Sequence, residues 1–263
     1  MQSKDKTKTN QRAPWESIPR WLMPIVVILV VAVIYFISQY LTSIILSLYA
    51  LMRGWNVAYA NNWLSNSIPA QFFYIVLFEG ATIGLLYLLL RRYNRSLKDI
   101  GLKKPRFRDG GYGIIAYPAY LIIYLVLFSV IKHFYAAIQV NQTQQIGFNS
   151  VHGNFDLALT FISLVILPPI AEELLFRGFL FEGLKKSMHW VYAGILTSVI
   201  FASAHLPEGG SSGLFWIGAI DVFSLSLVLV FLKQKTKSLW PGIILHSLKN
   251  LIAFISLFVL TNR

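Results

Sequence analysis

The sequence contains no cysteine and few charged residues. Because none of the 263 residues is a cysteine, disulfides, a thiolate nucleophile and a metal site with cysteine ligands are excluded. Charged residues make up 13% of the chain, roughly half of the ~25% that is usual in soluble proteins. Hydrophobic residues reach 56% and the mean hydropathy is +0.60. This composition predicts a protein that crosses a membrane several times.

Acidic residues are particularly scarce. The chain has 11 Asp and Glu against 23 Lys and Arg, which gives a formal net charge of +12. Such a charge can indicate nucleic-acid binding, but the basic residues here lie beside hydrophobic segments, where the positive-inside rule places them. We therefore expect no nucleic-acid partner.

Seven hydrophobic runs are long enough to cross the apolar core of a bilayer, which takes about 20 helical residues. They fall at about 21–48, 68–90, 111–135, 156–181, 190–206, 213–232 and 239–260. The sequence thus predicts an all-α bundle of about seven transmembrane helices.

Basic residues concentrate on alternate sides of these runs. They lie in the N-terminal arm, in the 91–108 loop and near residues 185–186 and 233–237, whereas the other loops have few. This alternation predicts a multi-pass membrane protein with a cytoplasmic N-terminus, and the style of the composition and of the motifs described below is typical of a bacterial cell membrane. We expect residues 1–20 to be a disordered basic arm, 21–150 to hold transmembrane helices and a basic cytoplasmic loop, and 151–263 to form a separate transmembrane core.

The fourth run contains two carboxylates and a guanidinium directly after Pro168-Pro169. Each charge costs about 2.5–3.5 kcal/mol at bilayer depth, so such groups need partners and usually mark a site. Glu173 and Arg177 are four residues apart and can pair on one helix face. Glu172 is rotated about 100° from Glu173 and is expected to face a cavity. The alternative is one structural ion cluster of all three.

Two later runs carry a histidine each, as Phe201…His205 and His246…Asn250. A carboxylate and a neutral imidazole can hold and deprotonate a water molecule, while a second histidine and an amide can donate hydrogen bonds to an oxyanion. These groups suit hydrolysis of an amide bond without a covalent intermediate. The alternative for a single histidine is an interhelical hydrogen bond.

A zinc site is the alternative use of the same residues. Two histidines and a glutamate suffice by type, but the chain has no His-Glu-x-x-His helix, and we expect no cofactor. Two further acids, Glu79 and Asp221, lie within hydrophobic runs and are candidate partners for Arg177 or a histidine.

The three motifs in this order resemble the CPBP family of CAAX proteases and bacteriocin-processing enzymes, also called Abi. That family has Glu-Glu-x-x-x-Arg, Phe-x-x-x-His and His-x-x-x-Asn on three membrane helices. The resemblance covers about 155–252 and implies an intramembrane endopeptidase, with 151–263 as its catalytic core and its active site inside the bundle. It also implies that Glu172 and His205 activate water while His246 and Asn250 form the oxyanion hole. Asp221 departs from the family, which often has glycine near this place.

The resemblance implies a membrane-associated peptide or protein as substrate, in peptide or bacteriocin processing or self-immunity. We expect the cavity to open to the cytoplasm or the inner leaflet. A non-catalytic immunity or sensor-regulatory protein and a proton-coupled transporter are the alternatives; the oligomeric state is unknown. Depth counting puts His205 roughly 15 Å from the level of Glu172 and His246, so a displaced fifth run or a broken fourth must bring them together.

Overall fold

The computed structural model describes residues 18–135, 142 and 144–260, apart from the side chains of residues 211 and 212. The described residues form helices and connecting loops without strands, and seven helical segments are long and apolar enough to cross a membrane. The fifth of these segments, Trp190–Gly210, is an α-helix continued by a 3₁₀ turn. We number the helices α1 (Met23–Met52), α2 (Val57–Asn66), α3 (Ile68–Arg92), α4 (Phe107–Phe134), α5 (Gly153–Leu184), α6 (Trp190–Ala204), α7 (Trp216–Thr236) and α8 (Trp240–Leu260).

The predicted all-α fold and the seven spans are confirmed, with boundaries within a few residues of those expected. The short helix α2 was not predicted; it lies in the 53–67 loop and begins where the Asn56 side chain accepts a hydrogen bond from the Tyr59 amide at 2.8 Å. The expected disordered arm falls largely on residues 1–17, outside the described residues.

Two prolines break the hydrogen-bond ladder of α5. Pro168 and Pro169 have no amide hydrogen, so the carbonyls of Leu164 and Val165 lose their usual helical donors. Just before them the chain forms a π-helical turn in which the Leu167 amide donates to the Ile162 carbonyl, five residues back. A second π-helical segment covers Glu173–Leu180. Wide turns of this kind occur frequently at functional sites.

The core surrounds the second half of α5, where every residue from Glu173 to Leu180 is buried. Apolar side chains of α1, α3, α6 and α7 pack against this stretch, among them Val27, Leu86, Phe201 and Val230. A helix buried on all sides must be apolar all round unless its polar groups are paired. By contrast, α4 exposes many apolar side chains, as a lipid-facing helix does.

Helix α6 is short, with 15 residues between Trp190 and Ala204, or about 22 Å at 1.5 Å per residue. Its end reaches only the middle of α5, where the ring centroids of Phe201 and Phe176 lie 4.8 Å apart. The short α6, together with the broken α5, places His205 beside the centre of the bundle.

Candidate active site

The guanidinium of Arg177 forms a buried ion pair with Glu173. Arg177 Nη1 lies 2.8 Å from Glu173 Oε1, and the side chains are 0% and 1% exposed. The guanidinium carbon also lies 4.2 Å from the centre of the Phe201 ring, which adds a cation–π attraction. The contact expected from the four-residue spacing is therefore present in the structure.

Glu172 and Glu173 point to different surroundings, as their helical rotation requires. The Glu172 side chain is 24% exposed, against 1% for Glu173. The His246 imidazole lies between them, with Nε2 3.7 Å from Glu172 Oε2 and Nδ1 3.5 Å from Glu173 Oε1. Gly242 makes room for this arrangement, since a Cβ there would lie 2.7 Å from Glu173 Oε2.

His205 follows the last residue of α6 and is held by its own helix. Its Nδ1 lies 2.8 Å from the Phe201 carbonyl oxygen, which can only accept, so Nδ1 carries the hydrogen. In the neutral ring Nε2 is then an acceptor. Nε2 lies 3.9 Å from Glu208 Oε1. The described residues show no direct hydrogen bond between His205 and Glu172.

The amide of Asn250 has a structural partner. Its Nδ2 donates to the Leu164 carbonyl at 2.9 Å, which is the carbonyl that Pro168 leaves without a helical donor. One Nδ2 hydrogen is thus used to join α8 to the break in α5. The second hydrogen of the same amide is available to another acceptor.

A cavity of about 520 Å³ brings the four expected site residues together. Glu172, His205, His246 and Asn250 all line it. Its walls come from α1, α3, α4, α5, α6, α7, α8 and the loops before α5 and α7. Polar groups inside an otherwise apolar bundle can hold water and a peptide bond in this space.

Asp221 and Lys249 line the same cavity and pair with each other. Lys249 Nζ lies 3.0 Å from Asp221 Oδ2, and the Tyr120 hydroxyl donates to Asp221 Oδ1. The expectation that Asp221 pairs with Arg177 or a histidine is therefore wrong, because α4 and α8 supply nearer partners. Lys249 was missed in the sequence, although a charged residue next to Asn250 within a hydrophobic run was a signal.

Residues 154–252 match the family model described as type II CAAX prenyl endopeptidase Rce1-like. A curated relative in Bacillus subtilis (strain 168), named "Putative membrane peptidase YdiL", is 30% identical over 85 residues. That match spans 32% of this chain and 32% of the relative, so the chain matches about a third of the relative's length. No solved structure matches significantly.

The match confirms the predicted family resemblance for this region, here called the Rce1-like segment. The segment contains Glu172, Glu173, Arg177, His205, His246 and Asn250. The opposite wall of the cavity lies outside it and includes Tyr35, Tyr74, Glu79 and Tyr124. Hydrophobic periodicity gave no sign that α1 and α3 contribute to the site; the signals present were the polar Gln39 and Glu79 within their spans.

The cavity extends toward the end of the bundle opposite the basic loops. Its lining includes residues 144–146, Glu208 and Phe215, and the Gln145 amide donates to the Glu208 carbonyl at 2.7 Å. At the basic end, the buried side chains of Leu174, Leu180 and Leu184 fill the core. This lining places the described part of the cavity on the side of the bundle away from the basic loops, and the expected opening toward the cytoplasm or the inner leaflet stays a prediction.

No three His, Asp or Glu side chains in the described part of the chain are arranged to hold a metal ion. His246 lies near two carboxylates, whereas His205 is directed by the Phe201 carbonyl and lies near Glu208. The two histidines therefore have separate partners in this arrangement.

Proposed function

We propose that this protein is an intramembrane endopeptidase that hydrolyses a peptide bond of a membrane-associated peptide or protein. The observation that carries the proposal is the convergence of Glu172, His205, His246 and Asn250 on one cavity within apolar helices. The match of the Rce1-like segment supports this proposal, because the family that it matches is described as a prenyl endopeptidase family. More specifically, we propose that the enzyme processes small peptides, such as bacteriocins, or protects the cell against them.

Glu172 acts as the general base in the proposed mechanism. It is the more exposed of the two glutamates, and its neighbour Glu173 is already paired with Arg177. The Glu172 carboxylate takes a proton from water, and His205 Nε2, an acceptor in the neutral ring, orients the same water. Glu172 then returns the proton to the leaving amine, so that acid and base roles alternate on one group.

His246 and Asn250 stabilise the oxyanion of the tetrahedral intermediate. In its protonated form His246 carries a hydrogen on each ring nitrogen. Nδ1 then faces Glu173, and Nε2, which lies near Glu172 on the side where the attacked carbonyl must be placed, donates its hydrogen to the oxyanion. Asn250 contributes the amide hydrogen that the Leu164 carbonyl does not use. Loss of one donor of this type typically lowers kcat by about 10²–10³-fold.

Glu172→Gln should abolish hydrolysis without removing the protein from the membrane, because the amide keeps the shape but cannot accept the proton. The measurement is comparative peptidomics of cells with wild-type or Glu172→Gln protein, followed by hydrolysis of the detected peptides by purified protein in nanodiscs. Asp99→Asn is a matched control, since Asp99 is exposed in the basic loop and an amide oxygen can still accept from the Ser96 amide. Equal hydrolysis by wild-type and Glu172→Gln protein, at equal abundance, would show a non-catalytic role.

We further propose that hydrolysis needs no metal ion. The two carboxylates nearest to His246 suffice to direct its ring, and Glu172 alone provides the base. Purified protein should keep its activity after dialysis against a strong chelator. Stoichiometric zinc in the protein, with activity lost on chelation and restored by zinc, would contradict this.

A further inference from the structure

Glu79 is a buried carboxylate that the proposed mechanism does not use. It lies in α3, is 6% exposed, and lines the cavity opposite the Rce1-like segment. The described residues offer it no ion pair and no hydrogen bond. A charged group in such surroundings is costly unless a partner compensates it. The cavity is the side from which a partner can come.

Aromatic rings line the same wall of the cavity as Glu79. Tyr35 of α1 and Tyr74 of α3 line the cavity with Phe78. The Phe78 ring centroid lies 5.3 Å from that of Tyr35 and 6.3 Å from that of Tyr74. The negative faces of aromatic rings attract cations. A carboxylate beside such rings is an arrangement that suits an ammonium or a guanidinium group.

The charges on the whole cavity wall favour the same ligand. The described lining contains the carboxylates of Glu79, Glu172, Glu208 and Asp221, with Lys249 as the lone ammonium among them. Lys249 is already paired with Asp221. The other carboxylates on this wall have no ammonium partner among the described lining residues, and a cation placed beside them favours their ionised form.

We propose that Glu79, Tyr35 and Tyr74 form a subsite for a positively charged side chain, lysine or arginine, of the peptide that is bound for hydrolysis. This proposal rests on the proposed function, since it names a feature of the same enzyme's substrate. It makes Glu79 a specificity-determining residue outside the Rce1-like segment. Glu79 positions the substrate and takes no part in the proton transfers.

The test uses a series of acylated hexapeptides, each with a single lysine at a different position. Each peptide is compared with a control that has norleucine in place of the lysine. Binding to purified full-length protein is measured in nanodiscs of zwitterionic lipid, so that anionic lipid cannot attract the lysine. For at least one position, wild-type protein should bind the lysine peptide about tenfold or more tightly than its norleucine counterpart, an effect of ~1.4 kcal/mol. Glu79→Gln should reduce this preference to less than threefold, and Asp99→Asn should keep it.

A second pair of variants keeps the proposal testable if Glu79→Gln protein does not fold. Tyr74→Phe keeps the ring and should keep the preference for lysine, whereas Tyr74→Leu removes the ring and should weaken it. Equal binding of lysine and norleucine peptides by the wild type at every position would overturn the proposal. So would a preference that survives in folded Glu79→Gln protein.

Hydrolysis measured on the same peptides separates the two proposals. Glu172→Gln should stop hydrolysis and retain the preference for lysine in binding. A wild-type protein that prefers lysine peptides but hydrolyses none of them would contradict the proposed function and leave the subsite standing. Hydrolysis of the peptides without any preference for lysine in binding would contradict the subsite and leave the proposed function standing.

Discussion

Arg177 lies where it can influence the orientation of the His246 imidazole through Glu173. Its guanidinium holds the Glu173 carboxylate at 2.8 Å, and Glu173 Oε1 in turn lies 3.5 Å from His246 Nδ1. Because Nδ1 faces this carboxylate, Nε2 is directed toward Glu172. Such supporting groups decide whether a site is held closely enough to act. We therefore propose that Arg177 is a positioning residue.

Arg177→Ala should lower the amount of folded protein, because it leaves Glu173 charged and buried without a cation. Breaking one partner of a buried pair costs about 3–5 kcal/mol. The measurement is membrane abundance together with the thermal unfolding temperature in detergent. Arg108→Ala, at an exposed position, is the control. An unfolding temperature for Arg177→Ala equal to that of the control would contradict the structural role of the pair.

The interruption of α5 links two elements that are far apart in sequence. Pro168 deprives the Leu164 carbonyl of its donor, and Asn250 of α8 replaces that donor. Asn250 thereby gains a second role besides the proposed contact with the oxyanion. A double-mutant cycle can separate the two roles, because only one of them depends on Pro168.

Asn250→Ala should lower both stability and turnover. Loss of the hydrogen bond leaves the part-buried Leu164 carbonyl without its donor, at a cost of about 1 kcal/mol. Adding Pro168→Ala supplies an amide hydrogen to the Leu164 carbonyl, so the double variant should regain unfolding temperature while turnover stays low. Turnover that returns together with stability would show that Asn250 acts only on the helix break.

The position of the cavity within the whole molecule decides from which side a substrate is reached. The lining runs from Glu172 to residues 144–146 and Glu208, at the end opposite the 91–108 loop. If the basic loops are cytoplasmic, as the positive-inside rule predicts, this end faces the outside of the cell.

Cysteine labelling of this cysteine-free chain measures the orientation. Lys98→Cys lies in the basic loop and Asn61→Cys on α2 at the other end, and both positions are exposed. An impermeant thiol reagent added to intact cells should label position 61 and spare position 98. Peptide substrates added from the outside should then be hydrolysed. Labelling of position 98 alone from outside would invert the topology and place the cavity mouth in the cytoplasm.

Much of the site could be predicted because it follows from local spacing. Glu173 and Arg177 are four residues apart, and any helical backbone brings them to one face. Glu79 and Asp221 could be recognised as unusual, but their surroundings could not be predicted. Asp221 meets Tyr120 and Lys249, which lie on two other helices, and no periodicity within one segment encodes such a contact.

The sequence by itself determined the class of fold and the chemical groups of the site. Hydrophobic runs of bilayer length admit only helices, because backbone groups in lipid must be paired within their own segment. The tertiary structure alone decided the depth of the site residues within the bundle and the direction in which the cavity extends. The short α6 and the broken α5 bring His205 toward the level of Glu172, and helices α1 and α3 complete the cavity. These features depend on how helices pack against one another, and packing is determined by contacts between residues distant in the chain.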